Sequence, residues 1–506
     1  MQGSGAPRSG MLARLALRNL VDRPWRSLFL LLGYGLGVGV MIVLLAIGQA
    51  LLTQARDERL VGGGQITVLP EGLNVEMMKT GGVGGLFFSI DNARFVYRQL
   101  LAAPRLEPDV RAVAPQVTRK LLYLRTPSAE YSVRAAGEIP SRSEAAGAVP
   151  PLAAGTWRDD AGDIEWMAPT PTQLYSEIDH FHVTPTNVDN RESWGEWHYF
   201  NVLSPDGKRW AFISYLLGGD IPNGKWGGQI AITLREQGGR TRRFVEDAPK
   251  SDVRFSTMSP DLTIGSSHVT LLPDGRYALT ARAREAGTNA PLTLDLVVTP
   301  APRDYFPGTT LASGRFTSGY TVPALRANAT GSICVNGACE HYDHAQSYHD
   351  HNWGVWRGVT WEWGASRAGD YTFLYGRVQP PDSSASTTPF FFYLVDSLGF
   401  RALFRPHVID YTDDRVITVD GHRVRVPSRA VIADVRGDDT LRVDLDIEDA
   451  IGTDTRRSLI ERGDVSAARR LGHPYFIQMK GVARLSGRVG GKPISGVGRG
   501  FFETYR

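Results

Sequence analysis

The densest group of reactive and aromatic side chains lies in residues 347–364, SYHDHNWGVWRGVTWEWG. This segment contains two histidines, one aspartate, one asparagine and four tryptophans. Such a composition is typical of three different structures: a metal site, a catalytic acid in an apolar cavity, or a well-packed strand of a β-barrel. These three structures can be distinguished in part by the face of the strand on which each side chain lies.

Alternation along a strand sorts these residues into two sets, because successive side chains point to opposite faces of a sheet. If residues 349–355 are extended, His349, His351 and Trp353 share one face, and Asp350 and Asn352 share the other. One face of a small barrel looks inward, so we expect the histidine row to line an apolar cavity. In such a place the pKa of an imidazole or a carboxyl shifts, and a proton can be delivered to a weak base.

A second aromatic segment, ESWGEWHYF at 192–200, supplies candidate partners. Glu196 and His198 have one parity, whereas Trp197 and Tyr199 have the other. Further candidates for contact with a ligand or substrate, in this segment and in later ones, are Trp194, Trp356, Trp361, Tyr375 and Arg377.

A metal site and a purely structural network are the alternatives for the histidine-rich segment. His341, His344, His349 and His351 lie within eleven residues, and neutral imidazoles bind zinc well. However, the sequence contains no H-E-x-x-H motif and no Cys/His framework, so no metal or other cofactor is expected. The structural alternative is that Trp, His, Asn and Asp side chains hydrogen-bond to each other and fix the packing of a barrel.

The elements that position these residues are mostly strands. The chain has 506 residues, which is too long for one compact domain, and its 55 glycines and 30 prolines predict many turns. Pro-Asp-Gly turns at 205–207 and 273–275 separate strand-length runs. We therefore expect an antiparallel region of two barrels or sandwiches, since one up-and-down barrel uses about eight strands. The net charge of +3, without a basic face, argues against nucleic-acid binding.

Residues 27–52 form an uncharged run that is long enough to span a membrane as a helix. A signal peptide is the alternative, but its apolar core would be shorter. Residues 8–26 carry five arginines and one acidic residue, which predicts a cytoplasmic N-terminus and extracytoplasmic C-terminal domains. Residues 1–26 are expected to lie as an amphipathic segment on the inner membrane surface. The spacing of Gly33, Gly35, Gly37 and Gly39 predicts a groove for another membrane helix.

Cys334 and Cys339 flank Asn336-Gly337, the strongest short hairpin signal. A two-residue turn makes the cysteines a non-hydrogen-bonded pair with Cα atoms about 4.5 Å apart, which permits a disulfide. The predicted extracytoplasmic location favours the disulfide over two reduced thiols.

The N-terminal region resembles a known family in residues 15–51, LALRNLVDRPWRSLFLLLGYGLGVGVMIVLLAIGQAL, and 62–72, GGGQITVLPEG. Both are similar to the start of an FtsX/MacB-like ABC permease. The resemblance implies a small α+β extracytoplasmic domain over 53–160 and association with ABC permease and ATPase subunits. Family members carry three further membrane helices, but no second run of 18 apolar residues occurs here, so we expect a truncated permease-like region. The sequence lacks a Walker-type phosphate loop and is not expected to be the ATPase itself.

The segment YHDHNWG at 348–354, together with EWHYF at 196–200, resembles the hydroxyneurosporene synthase (carotenoid hydratase) family. This resemblance implies two lipocalin-like barrels, which we place at 173–327 and 328–506. It also implies acid-catalysed addition of water to an isoprenoid alkene, in a dry pocket with aromatic faces.

The same resemblance implies roles for individual residues. His351 and Trp353 match the functional histidine and tryptophan of the family, and Tyr375 matches its tyrosine. Arg377 occupies the position expected for the acid, so the proton donor is either absent or supplied by Asp350 or Glu196.

The favoured hypothesis is a membrane-anchored protein that binds a lipid or isoprenoid beside an ABC export system. The first alternative is a hydratase-like or cyclase-like enzyme acting on an isoprenoid or polyketide alkene. The second alternative is a structural partner of a permease with a closed barrel. An apolar cavity without a paired acid would favour binding, whereas a titratable group with a perturbed pKa facing the cavity would favour the enzyme.

Overall fold

The computed structural model describes residues 20–56, 90–147, 157–182, 191–221, 223–313, 316–356, 358–379, 390–456 and 471–506, together with residues 14, 18 and 468. The chain divides into two compact units. One comprises Met1–Phe87 and Ala112–Asp159, and the other comprises Phe88–Arg111 and Asp160–Arg506.

One long helix and several short ones precede the strands of the second unit. The α-helices, in chain order, are α1 (Pro24–Arg56), α2 (Ile90–Phe95), α3 (Pro140–Ala145), α4 (Ala161–Met167) and α5 (Pro171–Ile178). A π-helical turn, Val96–Leu101, continues α2, and 3-10 turns occupy Arg191–Ser193 and Lys250–Asp252.

Helix α1 carries the apolar run of the first unit, and Pro24–Gln49 has a mean hydropathy of 2.5. At 1.5 Å per residue this stretch is roughly 39 Å long, which exceeds the ~30 Å hydrocarbon core of a bilayer. By length and composition it could cross a membrane as an anchor, and a signal sequence would share these properties.

The four glycines of the predicted packing groove all lie on α1. A Cβ atom at Gly33, Gly35, Gly37 or Gly39 would meet nothing within 4 Å, so the groove is open. Its contact with another helix stays a prediction. Most of the predicted amphipathic segment and residues 57–89 lie outside the described residues.

The first unit also contains a β-hairpin made of β1 (Gln116–Arg125) and β2 (Glu130–Glu138). The second unit begins its β structure at residue 194. The strands of its first sheet are β3 (Trp194–Leu203), β4 (Arg209–Asp220), β5 (Lys225–Glu236), β6 (Thr241–Pro249), β7 (Val253–Phe255), β8 (Leu262–Ile264), β9 (Ser267–Leu271), β10 (Tyr277–Glu285), β11 (Pro291–Pro300), β12 (Phe306–Ser313), β13 (Phe316–Val335) and β14 (Ala338–Val355).

Eight of these strands close into a barrel in the order β11-β13-β14-β3-β4-β5-β6-β10, because β10 also pairs with β11. Strands β9, β8 and β7 extend the sheet beyond β10, and β12 pairs with β13. Buried and exposed residues alternate along β10 and β11, as expected for strands with one face on a core. Apolar side chains such as Phe200, Ile213 and Leu279 fill the interior.

The remaining strands form an open sheet and a separate hairpin. They are β15 (Thr360–Ala368), β16 (Tyr371–Gln379), β17 (Phe391–Asp396), β18 (Gly399–Phe404), β19 (Asp410–Thr412), β20 (Arg415–Val419), β21 (His422–Val426), β22 (Arg429–Arg436), β23 (Asp439–Asp454), β24 (Tyr475–Val489) and β25 (Lys492–Tyr505). The sheet order is β18-β17-β16-β15-β25-β24-β23-β22-β19, and β20 pairs only with β21. No pairing among the described strands joins the two ends of this sheet, so it is a half-barrel.

The mainly β fold with two successive barrel-like sheets is confirmed, with the difference that the second sheet is open. The transition between the sheets also differs from the expected position at 327/328. That position lies inside β13, and the first sheet continues through β14 to Val355. Strand-length runs reveal where strands lie but not which strand each one pairs with, and this pairing alone assigns β13 and β14 to the first barrel.

The predicted turns and the hairpin disulfide are confirmed. The Pro-Asp-Gly turns at 205–207 and 273–275 connect β3 to β4 and β9 to β10. Cys334 and Cys339 are bonded across the β13–β14 hairpin with Cα atoms 3.9 Å apart. Asn336 and Gly337 both have positive φ, which the two-residue turn requires and which favours Gly.

Helix α5 leads into the first barrel and is well capped. The Thr170 side chain accepts the Gln173 N–H, and the Gln173 side chain accepts the Thr170 N–H. Its apolar residues, including Leu174 and Ile178, belong to the core of the first barrel. The helix ends at Ile178, so the next residue, Asp179, enters the barrel interior, where it is completely buried.

Candidate active site

The two faces of β14 serve two different places in the molecule. Its register with β3 sets Asp350 opposite Tyr199 and His351 opposite His198. Asp350 and Tyr199 face away from the first barrel and line a cavity shared with the second sheet. His198 and His351 face the barrel interior. The side-chain parities expected from the sequence are therefore those of the structure.

The cavity between the two sheets has a volume of about 440 Å³, within the usual range for small-molecule sites. Strands β3, β4, β5 and β14 form one wall, and β15, β16, β23, β24 and β25 form the other. The aromatic residues of its lining are Trp197, Tyr199, Phe212, Trp356, Trp361, Trp363 and Phe476. A larger cavity of about 770 Å³ adjoins it and shares Trp197, Trp356 and Trp361.

Asp350 presents a carboxyl group to this cavity. The Tyr348 hydroxyl donates to Oδ2 at 2.8 Å, and Asn352 Nδ2 donates to Oδ1 at 2.6 Å. Trp363 Nε1 in turn donates to the Tyr348 hydroxyl at 2.9 Å. Burial raises the pKa of Asp350 to about 7, although both hydrogen-bond donors act in the opposite direction.

Glu503, on β25, is the second carboxyl of the cavity. Trp361 Nε1 donates to Oε2 at 2.8 Å, and Gln478 Nε2 donates to Oε1 at 3.1 Å. Its enclosure by protein, together with the nearby charge of Asp350, raises the pKa of Glu503 to about 7, although the hydrogen bond from Trp361 acts in the opposite direction. The accessible part of Glu503 faces the cavity that it lines.

These carboxyls lie among tilted and edge-on aromatic rings. The ring centroids of Trp197 and Trp356 are 4.8 Å apart, and those of Trp356 and Trp361 are 5.7 Å apart. The Trp356 indole N–H is buried and has no hydrogen-bond partner among the described residues. The 440 Å³ cavity, called the cleft from here on, can thus hold an apolar ligand and stabilise positive charge on aromatic faces. Its carboxyls can exchange one proton with the ligand near neutral pH.

Inside the first barrel, a separate cluster of six side chains forms around two carboxylates. Its members are Asp179, His182, Glu196, His198, His349 and His351. His351 connects the carboxylates, with Nδ1 at 2.9 Å from Asp179 Oδ1 and Nε2 at 3.1 Å from Glu196 Oε1. Burial lowers the pKa of His351, but these hydrogen bonds outweigh it and raise the pKa to about 9.

Trp353, the tryptophan of the histidine row, covers this cluster. The Trp353 indole stacks on the ring of His182, with centroids 3.8 Å apart. Glu196 Oε1 accepts the backbone N–H of His182 at 2.9 Å. Trp194 packs against Trp353 and lines the larger cavity. The histidine row faces inward as expected, but side chains of the barrel core surround it, whereas the 440 Å³ cavity lies on the other face of β14.

Two of the expected site residues lie in neither place. Tyr375 is completely buried in the core of the second sheet, where its ring stacks with Phe502. Arg377 forms a salt bridge with Glu362 at 2.5 Å. Tyr375 and Arg377, both on β16, are thus separated from Asp350 and Glu503. The packing of the second sheet decides where these side chains lie, and strand alternation carries no information about that packing.

The four closely spaced histidines do not converge. His341 and His344 are exposed near the hairpin end of β14, whereas His349 and His351 are buried in the barrel. The strand is extended, so residues eight positions apart are roughly 26 Å apart. A metal site built from these four residues is excluded by this geometry.

Four residues of these two places, Glu503, Trp363, Asp179 and His182, are not among those predicted from the sequence. Glu503 stands in FFETYR, where strand alternation places it on the face opposite Phe502, a weak signal for a side chain outside the core of the second sheet. Asp179 and His182 belong to IDHFHV, directly after the capped helix α5, a short run of polar and apolar residues that suits insertion into a barrel end.

Comparisons with known proteins found similar folds only among solved structures; no family model and no curated protein matches the chain. An AttH protein from Nitrosomonas europaea is 15% identical with a TM-score of 0.42, over 65% of this chain and 98% of that chain. Kievitone hydratase from Nectria haematococca is 14% identical with a TM-score of 0.41, over 65% and 94%. CghA with Sch210972 is 17% identical with a TM-score of 0.37, over 67% and 96%. At these identities the similarity concerns the fold alone.

Proposed function

We propose that the protein protonates an alkene of an apolar ligand held between the two sheets, as a hydratase-like or cyclase-like enzyme acting on an isoprenoid or polyketide. The observation that carries this proposal is the pair of enclosed carboxyls, Asp350 and Glu503, in a cavity with aromatic walls. Each carboxyl is fixed by two hydrogen-bond donors from the protein. A binding protein for apolar ligands has no need for such a pair.

Glu503 is the proton donor in this proposal, and Asp350 is the acceptor. Like charges in one cavity cannot both form cheaply, so a single proton is shared by the two groups near neutral pH. The donors to Asp350, at 2.6 and 2.8 Å, are closer than those to Glu503, at 2.8 and 3.1 Å. Shorter hydrogen bonds favour the anion at Asp350 and leave the proton on Glu503.

The reaction has two steps. The Glu503 O–H bond breaks, its proton joins one carbon of the C=C bond, and a tertiary carbocation forms at the other carbon. A water molecule then bonds to that carbon and gives a proton to Asp350, after which proton transfer back to Glu503 restores the site. In a cyclase-like variant a second C=C bond attacks the cation, and a C–H proton is lost to the carboxylate.

The aromatic walls stabilise the cation and limit the access of water. Trp197, Trp356 and Trp361 line the cavity, and cation–π contacts with such rings are worth about 2 kcal/mol or more where solvent is excluded. The filled interior of the first barrel leaves the cleft as the place for the ligand.

Ligand carriage is the second candidate function, and the adjoining 770 Å³ cavity favours it because it enlarges the space that a ligand could occupy. Under either function, the apolar helix α1 and the disulfide support a membrane-anchored protein with an extracytoplasmic β region. Its orientation and its association with ABC permease and ATPase subunits rest on the sequence and remain proposals.

The test uses the full chain in lipid nanodiscs with a panel of acyclic isoprenoid and polyketide alkenes in heavy-oxygen water. We expect a hydroxylated product that carries the heavy oxygen, or an isomeric cyclised product, detected by mass spectrometry. Glu503→Gln should reduce turnover by about 10²–10⁴-fold, the usual contribution of a general acid, while ligand affinity stays within a few-fold.

Asp343→Asn is the matched control, because Asp343 is an exposed carboxylate on the same strand as Asp350. It should retain full turnover. If the wild-type protein binds the alkene but forms no product, the result refutes the enzyme function and supports ligand carriage. No binding of any member of the panel would contradict both candidates.

A further inference from the structure

We propose that the interior of the first barrel binds one divalent transition-metal ion of the Zn²⁺ class through Asp179, His198 and His349. This site is separate from the cleft and does not depend on the proposed reaction. The three residues come from three elements: the segment after α5, strand β3 and strand β14. All three side chains are completely buried.

The spacing of the ligand atoms suits a common metal ion. His349 Nε2 lies 3.0 Å from Asp179 Oδ2, and His198 Nδ1 lies 3.6 Å from Asp179 Oδ1. Two ligand atoms that each lie about 2.0–2.1 Å from Zn²⁺ are roughly 2.9–3.6 Å apart at angles between 90° and 120°. All three ligand atoms lie within 4.8 Å of one another.

Hydrogen bonds on the far side of each imidazole fix which nitrogen faces Asp179. His198 Nε2 lies 2.9 Å from the carbonyl oxygen of Pro260, and His349 Nδ1 lies 3.0 Å from that of Tyr199. A carbonyl only accepts, so these nitrogens carry the protons. In a neutral ring the other nitrogen then offers a lone pair, and in both histidines that lone pair points at the Asp179 carboxylate.

This arrangement is the one that metal-binding histidines usually show, with the second N–H donated to a carbonyl or carboxylate. Without a cation, His349 needs a second proton to donate to Asp179 Oδ2, and the lone pair of His198 Nδ1 faces an anionic carboxylate in a site closed to water. His198 Nδ1 makes no hydrogen bond within the described part of the chain, which identifies it as the unsatisfied ligand atom. A divalent ion at this point satisfies both lone pairs and neutralises the carboxylate.

The surrounding groups orient the carboxylate. The Tyr277 hydroxyl donates to Asp179 Oδ2 at 2.8 Å, and His351 lies between Asp179 and Glu196. The ion would therefore connect the segment after α5 to the barrel wall. Nitrogen and oxygen ligands without thiolates favour Zn²⁺, Co²⁺ or Ni²⁺ over Ca²⁺ and Mg²⁺.

The experiment measures metal content and Co²⁺ binding on the full chain in detergent, after removal of any affinity tag. Protein purified from zinc-replete medium should contain one equivalent of zinc by mass spectrometry. The chelated apoprotein should bind one Co²⁺ with the visible absorption of a nitrogen- and oxygen-ligated site. A wild-type protein that is folded by circular dichroism but binds neither ion would overturn the proposal.

Variants assign the ligands. His198→Ala and His349→Ala should lose the ion, whereas His344→Ala, which removes an exposed histidine of the same strand, should keep it. Tyr277→Phe retains all three ligands, so it should fold and bind Co²⁺ with a Kd raised roughly ten- to hundredfold. Loss of the ion in His182→Ala with retention in His198→Ala would place it instead on the group formed by His182, Glu196 and His351, and would refute this assignment.

Discussion

Replacing Glu503 by Gln should change how the stability of the protein depends on pH. The pKa of Glu503 is about 7 in the folded chain, against an ordinary value of 4.5. Because the folded form holds its proton more tightly, the wild type is destabilised as pH rises from about 4.5 to about 7. The amide side chain of the variant cannot ionise, so the variant lacks this pH-dependent cost.

The magnitude follows from the pKa difference. A shift of this size corresponds to roughly 3 kcal/mol in a fully dry site, and to less where the cavity admits water. The amide keeps only one of the hydrogen bonds from Trp361 and Gln478, which costs about 1 kcal/mol at every pH. The variant should therefore be about 1 kcal/mol less stable than the wild type at pH 4, and up to about 2 kcal/mol more stable at pH 8.

The assay is urea unfolding of both proteins in mild detergent, followed by tryptophan fluorescence, at pH 4, 6 and 8. Asp343→Asn serves as the control, because an exposed carboxylate should show no comparable dependence on pH. A free-energy difference between wild type and Glu503→Gln that stays constant from pH 4 to 8 would refute the reasoning, since it would mean that Glu503 titrates normally.

Three further predictions concern Asp350, the Trp363 ring and the hairpin disulfide. Asp350→Asn removes the like charge and should lower the pKa of Glu503, seen as a shift of the declining limb of the pH–turnover profile to lower pH; an unchanged limb would contradict their coupling. Gly376→Ala places a Cβ against the Trp363 ring and should displace that ring, so ligand affinity should fall at least about tenfold by fluorescence titration. Gly437→Ala, whose Cβ would meet no neighbour and whose positive φ affects stability alone, should bind the ligand normally. Reduction of the hairpin disulfide should lower the free energy of unfolding by about 2 kcal/mol, as expected for so short a loop. A change below a few tenths of a kcal/mol would show that the hairpin is equally stable without the disulfide.

The sequence alone was sufficient for features that depend on local geometry. The alternation of β14 separates Asp350 from His351 because the period of a strand is fixed at two residues. The Asn336-Gly337 turn places the cysteines opposite each other because few backbone conformations close a two-residue loop. The apolar run of α1 is similarly evident, since its length and lack of charge are properties of the chain itself.

Tertiary structure decided what each face meets. Trp361 donates to Glu503 across 142 positions of sequence, and His349 meets Asp179 across 170. Strand alternation assigned the histidine row to an interior but could not show that this interior is filled and that the cavity lies behind it. Pairing between distant strands carries no local signal, because each strand offers the same backbone donors and acceptors to every neighbour. Asp350 is the exception, because its donors Tyr348 and Asn352 are neighbours on its own strand. The partners of Glu503 and of the histidines were fixed by the closure of the first barrel and the packing of the second sheet against it.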